Sequence, residues 1–587
     1  MLYNEAQRPR LLGKRDENGA PLVPNEGELT PGAVASVLRS WLTRRAPEHA
    51  ALLSAAEPGG AAAPASALMR LPSFCSGCPH NTSTVVPEGS IALGGIGCHG
   101  MAVWLPERRT FGATQMGGEG ANWIGTAPFT SLPHVFQNLG DGTYFHSGLL
   151  AVRACVAAGV NITYKVLVNG AVAMTGGQPI EGEPLEGEVT CPEIARQLVA
   201  EGVKRVVVVT DDTTKFAEGA FPSGVAVHDR SELLTVQKQL REIGGVTAIV
   251  YDQTCAAEAR RLRKQGKFHD PDRRIVINEL VCEGCGDCSV QSNCISIEPL
   301  ETELGRKRKI NQSSCNKDFS CVKGYCTSFV SVTGGRLRKA ETQGAGIDEA
   351  ALFAALPEPA LPPLERPYNV LLTGIGGTGV VTVGAILAMA GHLEGRGASE
   401  LDVTGLAQKN GAVASHVRLA RTPAELHATR IGSAGADLAI GCDAVVMTSF
   451  ENLPKLAPRT FALVNSHVQP TAAFATNANL DLSADAMVAA VRSVCGGANT
   501  EVTNASELAV ALLGDALATN MLLLGVAWQR GKLPLSLAAL DRAMVLNGRG
   551  LEMNRRAFAW GRLLAVNPEA VRAAAKPLLR EPAAPAS

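Results

Sequence analysis

Residues 138–148 read NLGDGTYFHSG, and residues 164–169 read YKVLVN. The apolar run Tyr164–Val168 has the length and composition of a strand buried on both faces. Similar runs recur at Arg205–Val209 (RVVVV) and Thr247–Tyr251 (TAIVY), with helix-like segments between them. The alternation predicts a mostly parallel sheet. It also places Gly140-Asp141-Gly142 and Asn169 in loops at the C-terminal edge of that sheet. Asp141 and the Asn169 side-chain oxygen are hard ligands suited to Mg²⁺, which would bridge to a diphosphate. Gly140 and Gly142 let backbone N–H groups approach phosphate. A lone GDG is also a common turn. GDG with a downstream Asn, followed by the Gly-rich Met174–Gln178 (MTGGQ), is a much more specific pattern.

The surrounding chain is 587 residues long, which implies three or four domains. Hydrophobic residues make up 46% and charged residues 19%, a globular composition. The 54 Lys and Arg nearly balance 55 Asp and Glu. That balance argues against a nucleic-acid binder working by general positive charge. Aromatic residues at 4% argue against a base-stacking surface. The N-terminus has early charges and no apolar core of a signal peptide. The apolar stretch Leu508–Trp528 is interrupted by Asp515, Thr519 and Asn520 and reads as a buried helix pair, not a membrane span. A cytoplasmic protein is expected.

Boundaries follow composition. Residues 1–70 form an N-terminal connecting segment, with a helical pattern over about 31–53 and the Gly/Pro/Ala-rich stretch Glu57–Ala67. Residues 71–270 are α/β, 271–335 are cysteine-rich, and 336–367 are a linker ending in the Pro-rich Leu356–Pro367. A second α/β domain covers 368–580, and 581–587 are a tail.

Seven of the 15 cysteines fall between Cys282 and Cys326. In a cytosolic chain such clustering points to metal or redox chemistry. Cys282, Cys285, Cys288 and Cys294 are spaced Cys-x2-Cys-x2-Cys-x5-Cys, and Cys315, Cys321 and Cys326 follow a basic loop, ELGRKRK. In two-cluster ferredoxins each cluster takes three cysteines from one run and one from the other. By that rule Cys282, Cys285, Cys288 and Cys326 hold one cluster. Cys294, Cys315 and Cys321 hold another, one ligand short. Asp318 stands where the missing cysteine would be, and a carboxylate is a harder, weaker ligand for such iron. A labile four-iron or a three-iron cluster is therefore expected there. Zinc on four of these cysteines is the alternative, although zinc sites more often show paired CxxC motifs. Cys75 and Cys78, in FCSGCPH, and Cys98, in GGIGCHG, suggest a further cluster. Cys255, directly after a strand, is the chosen fourth ligand ahead of Cys155 and Cys191. A group of reduced structural thiols is the alternative.

In the second α/β domain, Asn369–Thr373 is a short apolar strand. Gly374-Ile-Gly376-Gly377-Thr-Gly379 follows it and opens a helix. This is the strand–turn–helix context of a dinucleotide site. Glu394, Glu400 and Asp402 are acidic candidates for the ribose, but none clearly ends a second strand. Gly405–Gly411, with Ser415 and His416, reads either as a loop facing a cofactor or CoA or as a solvated loop. Glu119 and His80 lie near Gly-rich loops, where structural roles are at least as well founded as acid–base ones. No catalytic residue is assigned.

GDG with its downstream Asn resembles the diphosphate signature of thiamine-diphosphate enzymes. FCSGCPH, MGGEGANW, NLGDGTYFHSG, NGAVAMTGGQP and the ferredoxin-like run together resemble the 2-oxoacid:ferredoxin oxidoreductases, specifically the indolepyruvate ferredoxin oxidoreductase family in its fused bacterial form. The resemblance covers nearly the whole chain. It implies an α/β multidomain protein with a doubly wound thiamine-diphosphate-binding sheet, a ferredoxin-like iron–sulfur insert and a Rossmann-like gamma domain. It implies that Asp141, Asn169 and the Ala171 carbonyl bind Mg²⁺ and that Cys75, Cys78, Cys98 and Cys255 hold a proximal cluster. It reads GIGGTG as a gamma-domain packing and cofactor-contact loop, not an NAD site. Asp318 departs from the full cysteine set. The implied activity is oxidative decarboxylation of an arylpyruvate to acyl-CoA and CO₂. Two or three four-iron clusters would pass the electrons to ferredoxin. The family's pyrimidine-binding domain is not found in these residues, so a separate pyrimidine-domain chain or self-association is expected. The rival is an electron-transfer subunit binding NAD or FAD at Gly374–Gly379.

Overall fold

The computed structural model describes residues 12–27, 29, 31–49, 68–172, 190–335, 348–405 and 410–575. MTGGQ at 174–178, the Glu57–Ala67 stretch and residues 406–409 lie outside the described residues. Met1–Ala63 and Pro64–Ser587 are two compact units. In the first unit a helix spans Pro31–Arg45. It stops short of the expected residue 53 because Pro47 disfavours helical backbone at the residue before it. Arg44 and Arg45 in its last turn complement the helix dipole.

In the second unit, seven strands form a wholly parallel sheet: β1 (Ala92–Gly94), β2 (Thr110–Ala113), β3 (Val135–Gly140), β4 (Ile162–Val168), β5 (Arg205–Thr210), β6 (Ala226–Asp229) and β7 (Val246–Asp252). Their order is β2-β1-β3-β4-β7-β5-β6. The continuous apolar runs of β4, β5 and β7 form its middle, where both faces are covered. Val135, Val166, Val208 and Val250 belong to the core on one face; Leu167, Val209, Ile249 and Tyr251 belong to the core on the other.

The cysteine-rich insert is built on two antiparallel pairs. β8 (Arg273–Ile277) pairs with β11 (Phe329–Thr333), and β9 (Ile297–Thr302) pairs with β10 (Gly305–Ile310). The basic segment ELGRKRK is thus mostly a strand, not a loop. Its alternation sends Arg306 and Arg308 towards the next domain. Arg306 Nη1 donates to the Leu480 carbonyl at 2.8 Å, Arg308 Nη2 donates to that of Ala478 at 3.0 Å, and the Arg308 guanidinium lies 4.7 Å from the Phe474 ring centroid.

The expected linker is partly folded. Asp348 caps a helix over Glu349–Ala354, which Glu349 joins to Arg556 at 2.8 Å and Phe353 packs edge-on against Trp560. The second sheet comprises β12 (Tyr368–Ile375), β13 (Gly397–Val403), β14 (Ala412–Ala420), β15 (Leu438–Gly441), β16 (Phe461–Asn465) and β17 (Thr500–Thr503). Their order is β13-β14-β12-β15-β16-β17, with β12, β15, β16 and β17 parallel and β14 antiparallel to both β12 and β13. The Rossmann-like half therefore ends at β12.

The stretch Leu508–Trp528 forms the expected buried helices, Ala505–Leu513 and Thr519–Gln529. Gly514 in left-handed backbone closes the first. Asp515 then turns the chain by accepting from the Leu517 N–H. Every residue from Thr519 to Trp528 is buried, as a helix apolar all round requires. Among the described residues no helix is long and apolar enough to cross a membrane. The second helix crosses Leu551–Val566 at contact distance because Gly525 faces the Phe558 carbonyl and Gly561 faces the Leu522 carbonyl. A Cβ on Gly561 would overlap the Leu522 oxygen. Gly561→Ala is expected to cost roughly 1–3 kcal/mol, measured as a lower midpoint in denaturant unfolding with an unchanged slope.

Candidate functional site

The Asp141 carboxylate ties together the loops that follow β3 and β4. Oδ1 accepts from the Gly142 N–H at 2.9 Å. Oδ2 accepts from the N–H groups of Asn169 at 2.9 Å and Gly170 at 3.1 Å. The Asn169 Oδ1 accepts from the Ala171 N–H at 2.9 Å. These three N–H groups oppose the effect of burial, which pushes the Asp141 carboxyl above its usual range. A carboxylate offers about four lone pairs. Three are engaged here, so one remains on Oδ1, and Asn169 Oδ1 also retains one. The hard-oxygen donor set at a sheet's C-terminal edge thus fits Mg²⁺. Gly142 must lack a side chain, since its Cβ would lie 2.6 Å from that of Val172.

Sequence reasoning passed over two buried bases beside this loop. His99 is 2% exposed, and its Nε2 has no hydrogen-bond partner among the described residues. Glycines make room for its ring, and a Cβ on Gly140 would come within 3.1 Å of its Cε1. Burial first, and then the charge of Lys165, lower the His99 imidazole to about 4. Lys165, fully buried in β4, donates to the Ser83 carbonyl at 2.7 Å and is itself brought down to about 7 by burial. A lysine interrupting an apolar strand was the available signal. Glu119 has a structural role: its carboxylate accepts from Gly117 N–H at 2.6 Å and Ile96 N–H at 3.3 Å, joining two Gly-rich loops.

Several of the predicted cysteines are neighbours in the structure. Cys78 has Cys75, Cys98 and Cys255 as electrostatic neighbours, which together with burial push its thiol well up. Cys155 instead lies buried in the helix Leu149–Ala158, its thiol at 3.3 Å from the Tyr164 hydroxyl, and Cys191 starts another helix beside Asp252. The Cys255 N–H donates to the Asn169 carbonyl at 3.0 Å, so this thiol group and the Asp141 loops share one junction. Cys282, Cys285 and Cys288 are electrostatic neighbours of the Arg308 guanidinium, whose positive charge opposes the effect of burial on Cys288; burial pushes its thiol up to about 11. Gly324, two residues before Cys326, packs against Asp287 and Gln291 of the neighbouring helix. Cys294, Cys315, Cys321 and Asp318 line one cavity. Burial and these neighbours push Cys321 to about 12. Among the described residues, no three His, Cys, Asp or Glu groups converge on a point suited to a single metal ion. A cube spreads its ligands over separate irons.

The GIGGTG loop is braced by protein. The Gly376 N–H donates to the Gly411 carbonyl at 2.8 Å, and Asn520 Nδ2 donates to the Thr378 carbonyl at 3.0 Å. Glu400 and Asp402 lie on β13, which the antiparallel β14 separates from β12. Glu400 faces Gly384 of the helix Val380–Leu393, where burial raises its carboxyl to about 7. Neither acid sits at the end of a parallel strand beside β12, where a ribose-binding acid belongs. Of the Gly405–Gly411 loop, Asn410 is described and its Nδ2 lies 3.5 Å from the Ser73 hydroxyl; Ser415 donates to Asp402, and His416 Nδ1 accepts from the Ile431 N–H at 3.0 Å.

Residues 95–250 match the family described as thiamine pyrophosphate enzyme, C-terminal TPP binding domain, and 369–564 match pyruvate ferredoxin/flavodoxin oxidoreductase. These matches, with the relatives that follow, support a relationship to the indolepyruvate ferredoxin oxidoreductase family. It is 30% identical over 256 residues to the indolepyruvate oxidoreductase subunit IorA of Pyrococcus abyssi, covering 39% of this chain and 36% of that one. It is 26% identical over 196 residues to the subunit IorB of Methanothermobacter thermautotrophicus, covering 33% of this chain and 95% of that one. It thus spans little more than a third of the length of the IorA relative. A keto/oxoacid ferredoxin oxidoreductase gamma subunit from Geobacter sulfurreducens is similar at 20% identity and a TM-score of 0.24, over 34% of this chain and 98% of that one.

A buried ion pair fastens the second α/β region to the segment leading into Cys75. Arg70 Nη2 meets Asp443 at 2.7 Å with both side chains at most 3% exposed, and Arg70 also donates to the Gln469 and Pro470 carbonyls. Asp443 directly follows Cys442, whose N–H donates to Thr373 at the end of β12. Arg70→Met would leave the Asp443 carboxylate buried and unpaired. The expected cost is about 3–5 kcal/mol, read as a lower thermal midpoint in calorimetry.

Proposed function

We propose that this chain carries the diphosphate-binding and electron-transfer parts of a 2-oxoacid:ferredoxin oxidoreductase that decarboxylates an aryl 2-oxoacid of the indolepyruvate type. The products are acyl-CoA and CO₂, and the electrons pass to ferredoxin. The observation that carries the reading is the Cys255–Asn169 hydrogen bond, which sets a four-thiol group directly against the Asp141 loop. Bound thiamine diphosphate supplies the nucleophile and electron sink for decarboxylation, and iron–sulfur clusters accept its electrons singly. Asp141, Asn169 and the Ala171 carbonyl hold Mg²⁺ and so orient the diphosphate. His99, neutral at physiological pH, packs beneath the Gly140 turn and fixes its height. Cys75, Cys78, Cys98 and Cys255 hold the proximal cluster. Cys282, Cys285, Cys288 and Cys326 hold a second, and Cys294, Cys315 and Cys321 belong to a third. The similarity to both IorA and IorB subunits supports a chain that unites two such subunits. An NAD or FAD site at Gly374–Gly379 gains no support, because a phosphate-facing N–H is already bonded to Gly411.

The direct test is equilibrium binding of thiamine diphosphate to the anaerobic protein with Mg²⁺. Asp141→Asn is expected to weaken binding at least about tenfold, or ~1.4 kcal/mol; wild-type protein that ignores the cofactor, or a variant that binds equally well, contradicts the reading. Arg308 provides a second test. Reduction adds negative charge to a cluster, and a neighbouring cation stabilises that state. Arg308→Met should therefore move the potential of the Cys282–Cys285–Cys288 cluster to more negative values in an EPR-monitored redox titration.

A further inference from the structure

Asp318 is presented to the Cys294–Cys315–Cys321 cavity by a tightly specified loop. Lys317 and Phe319 on either side of it both hold positive φ, at 57° and 60°, a conformation that residues other than glycine seldom adopt. The Asp318 carbonyl accepts from Arg230 Nη2 at 2.8 Å. Its Cβ abuts the CSGC loop so closely that a Cβ on Gly77 would lie 3.0 Å away. Asn316 Nδ2 donates to the Ser76 carbonyl at 2.8 Å in the same contact. On the carboxylate, Oδ2 accepts from the Ser320 hydroxyl, and no hydrogen bond reaches Oδ1 among the described residues. Asp318 is an electrostatic neighbour of all three thiols: Cys294, Cys315 and Cys321. A carboxylate held by strained backbone beside three thiols, with one oxygen unoccupied, is arranged as a ligand and not as a solvated side chain.

We propose that Asp318 binds iron directly, so that this cavity holds a cluster ligated by three thiolates and one carboxylate, and that the iron on Asp318 is the exchangeable one. The inference rests on the iron–sulfur reading above. Carboxylate oxygen is a harder and weaker partner than thiolate for cluster iron, so oxidation breaks this bond first. Ferricyanide removes one electron from the doubly positive four-iron core and becomes ferrocyanide. The triply positive core then releases the Asp318-bound iron as Fe²⁺. A singly positive three-iron core with all four sulfides remains on the three cysteines. The other two groups, with four thiolates each, keep their iron.

The test treats anaerobically purified full-length protein with stoichiometric ferricyanide and a ferrous chelator, followed by EPR. Wild type is expected to release about one iron per chain and to develop the signal of an oxidised three-iron cluster. Asp318→Cys should suppress both effects. Asp318→Asn keeps the shape and the Ser320 contact but weakens the ligand, and it should show the three-iron signal as purified, without oxidant. Wild type that keeps all its iron, or an Asp318→Asn variant indistinguishable from wild type, overturns the inference while leaving the clusters in place. Protein that contains neither iron nor sulfide overturns the iron–sulfur reading and the inference with it.

Discussion

The Asp141 carboxylate is the constraint on which the rest of the site depends. It binds the backbone of two loops that leave adjacent parallel strands, β3 and β4. Those loops can be held at one height only because the strands are in register and capped at the same edge. The third strand of the junction, β7, pairs with β4 and delivers Cys255 to the Asn169 carbonyl. One sheet edge therefore fixes an oxygen-rich site and a thiol site together. Rigid strands place them more precisely than free loops could.

From that edge the thiol groups extend outward in a connected series. Ser76 and Gly77 lie between Cys75 and Cys78 and touch Ser296 and Asp318 of the next group. Cys321 of that group in turn feels Cys288 of the third. The insert is held in this position from its far side, where Arg306 and Arg308 grip the Leu480 and Ala478 carbonyls of the second α/β region. That region is tied back to the Cys75 segment by Arg70 and Asp443. The cysteine-rich insert, too small to bury much core of its own, thus takes its rigidity from two larger domains.

Much of this was legible in the chain. The parallel sheet followed from YKVLV, RVVVV and TAIVY, because strands covered on both faces have no polar alternation to confuse with helix. The nearness of Cys255 to Cys75, Cys78 and Cys98 followed from its position just after a strand. Less legible were features that depend on distant partners. Nothing local marks β14 as antiparallel, so the strand–turn–helix context of GIGGTG by itself left a dinucleotide loop open as the rival reading. Glu349–Ala354 is too short to declare itself a helix without the docking of Phe353 on Trp560. ELGRKRK has the composition of a solvated loop, and its strand character comes from pairing with β9 and from the carbonyls that Arg306 and Arg308 reach. His99 is inconspicuous beside Cys98, since its importance lies in glycines brought to it from β3.

The central claim is that these cysteines hold iron–sulfur clusters alongside a thiamine diphosphate site. The most direct measurement is iron, acid-labile sulfide and zinc per chain after anaerobic purification. About twelve irons with matching sulfide, as three four-iron clusters would give, is the predicted result. Stoichiometric zinc with little iron or sulfide would contradict it.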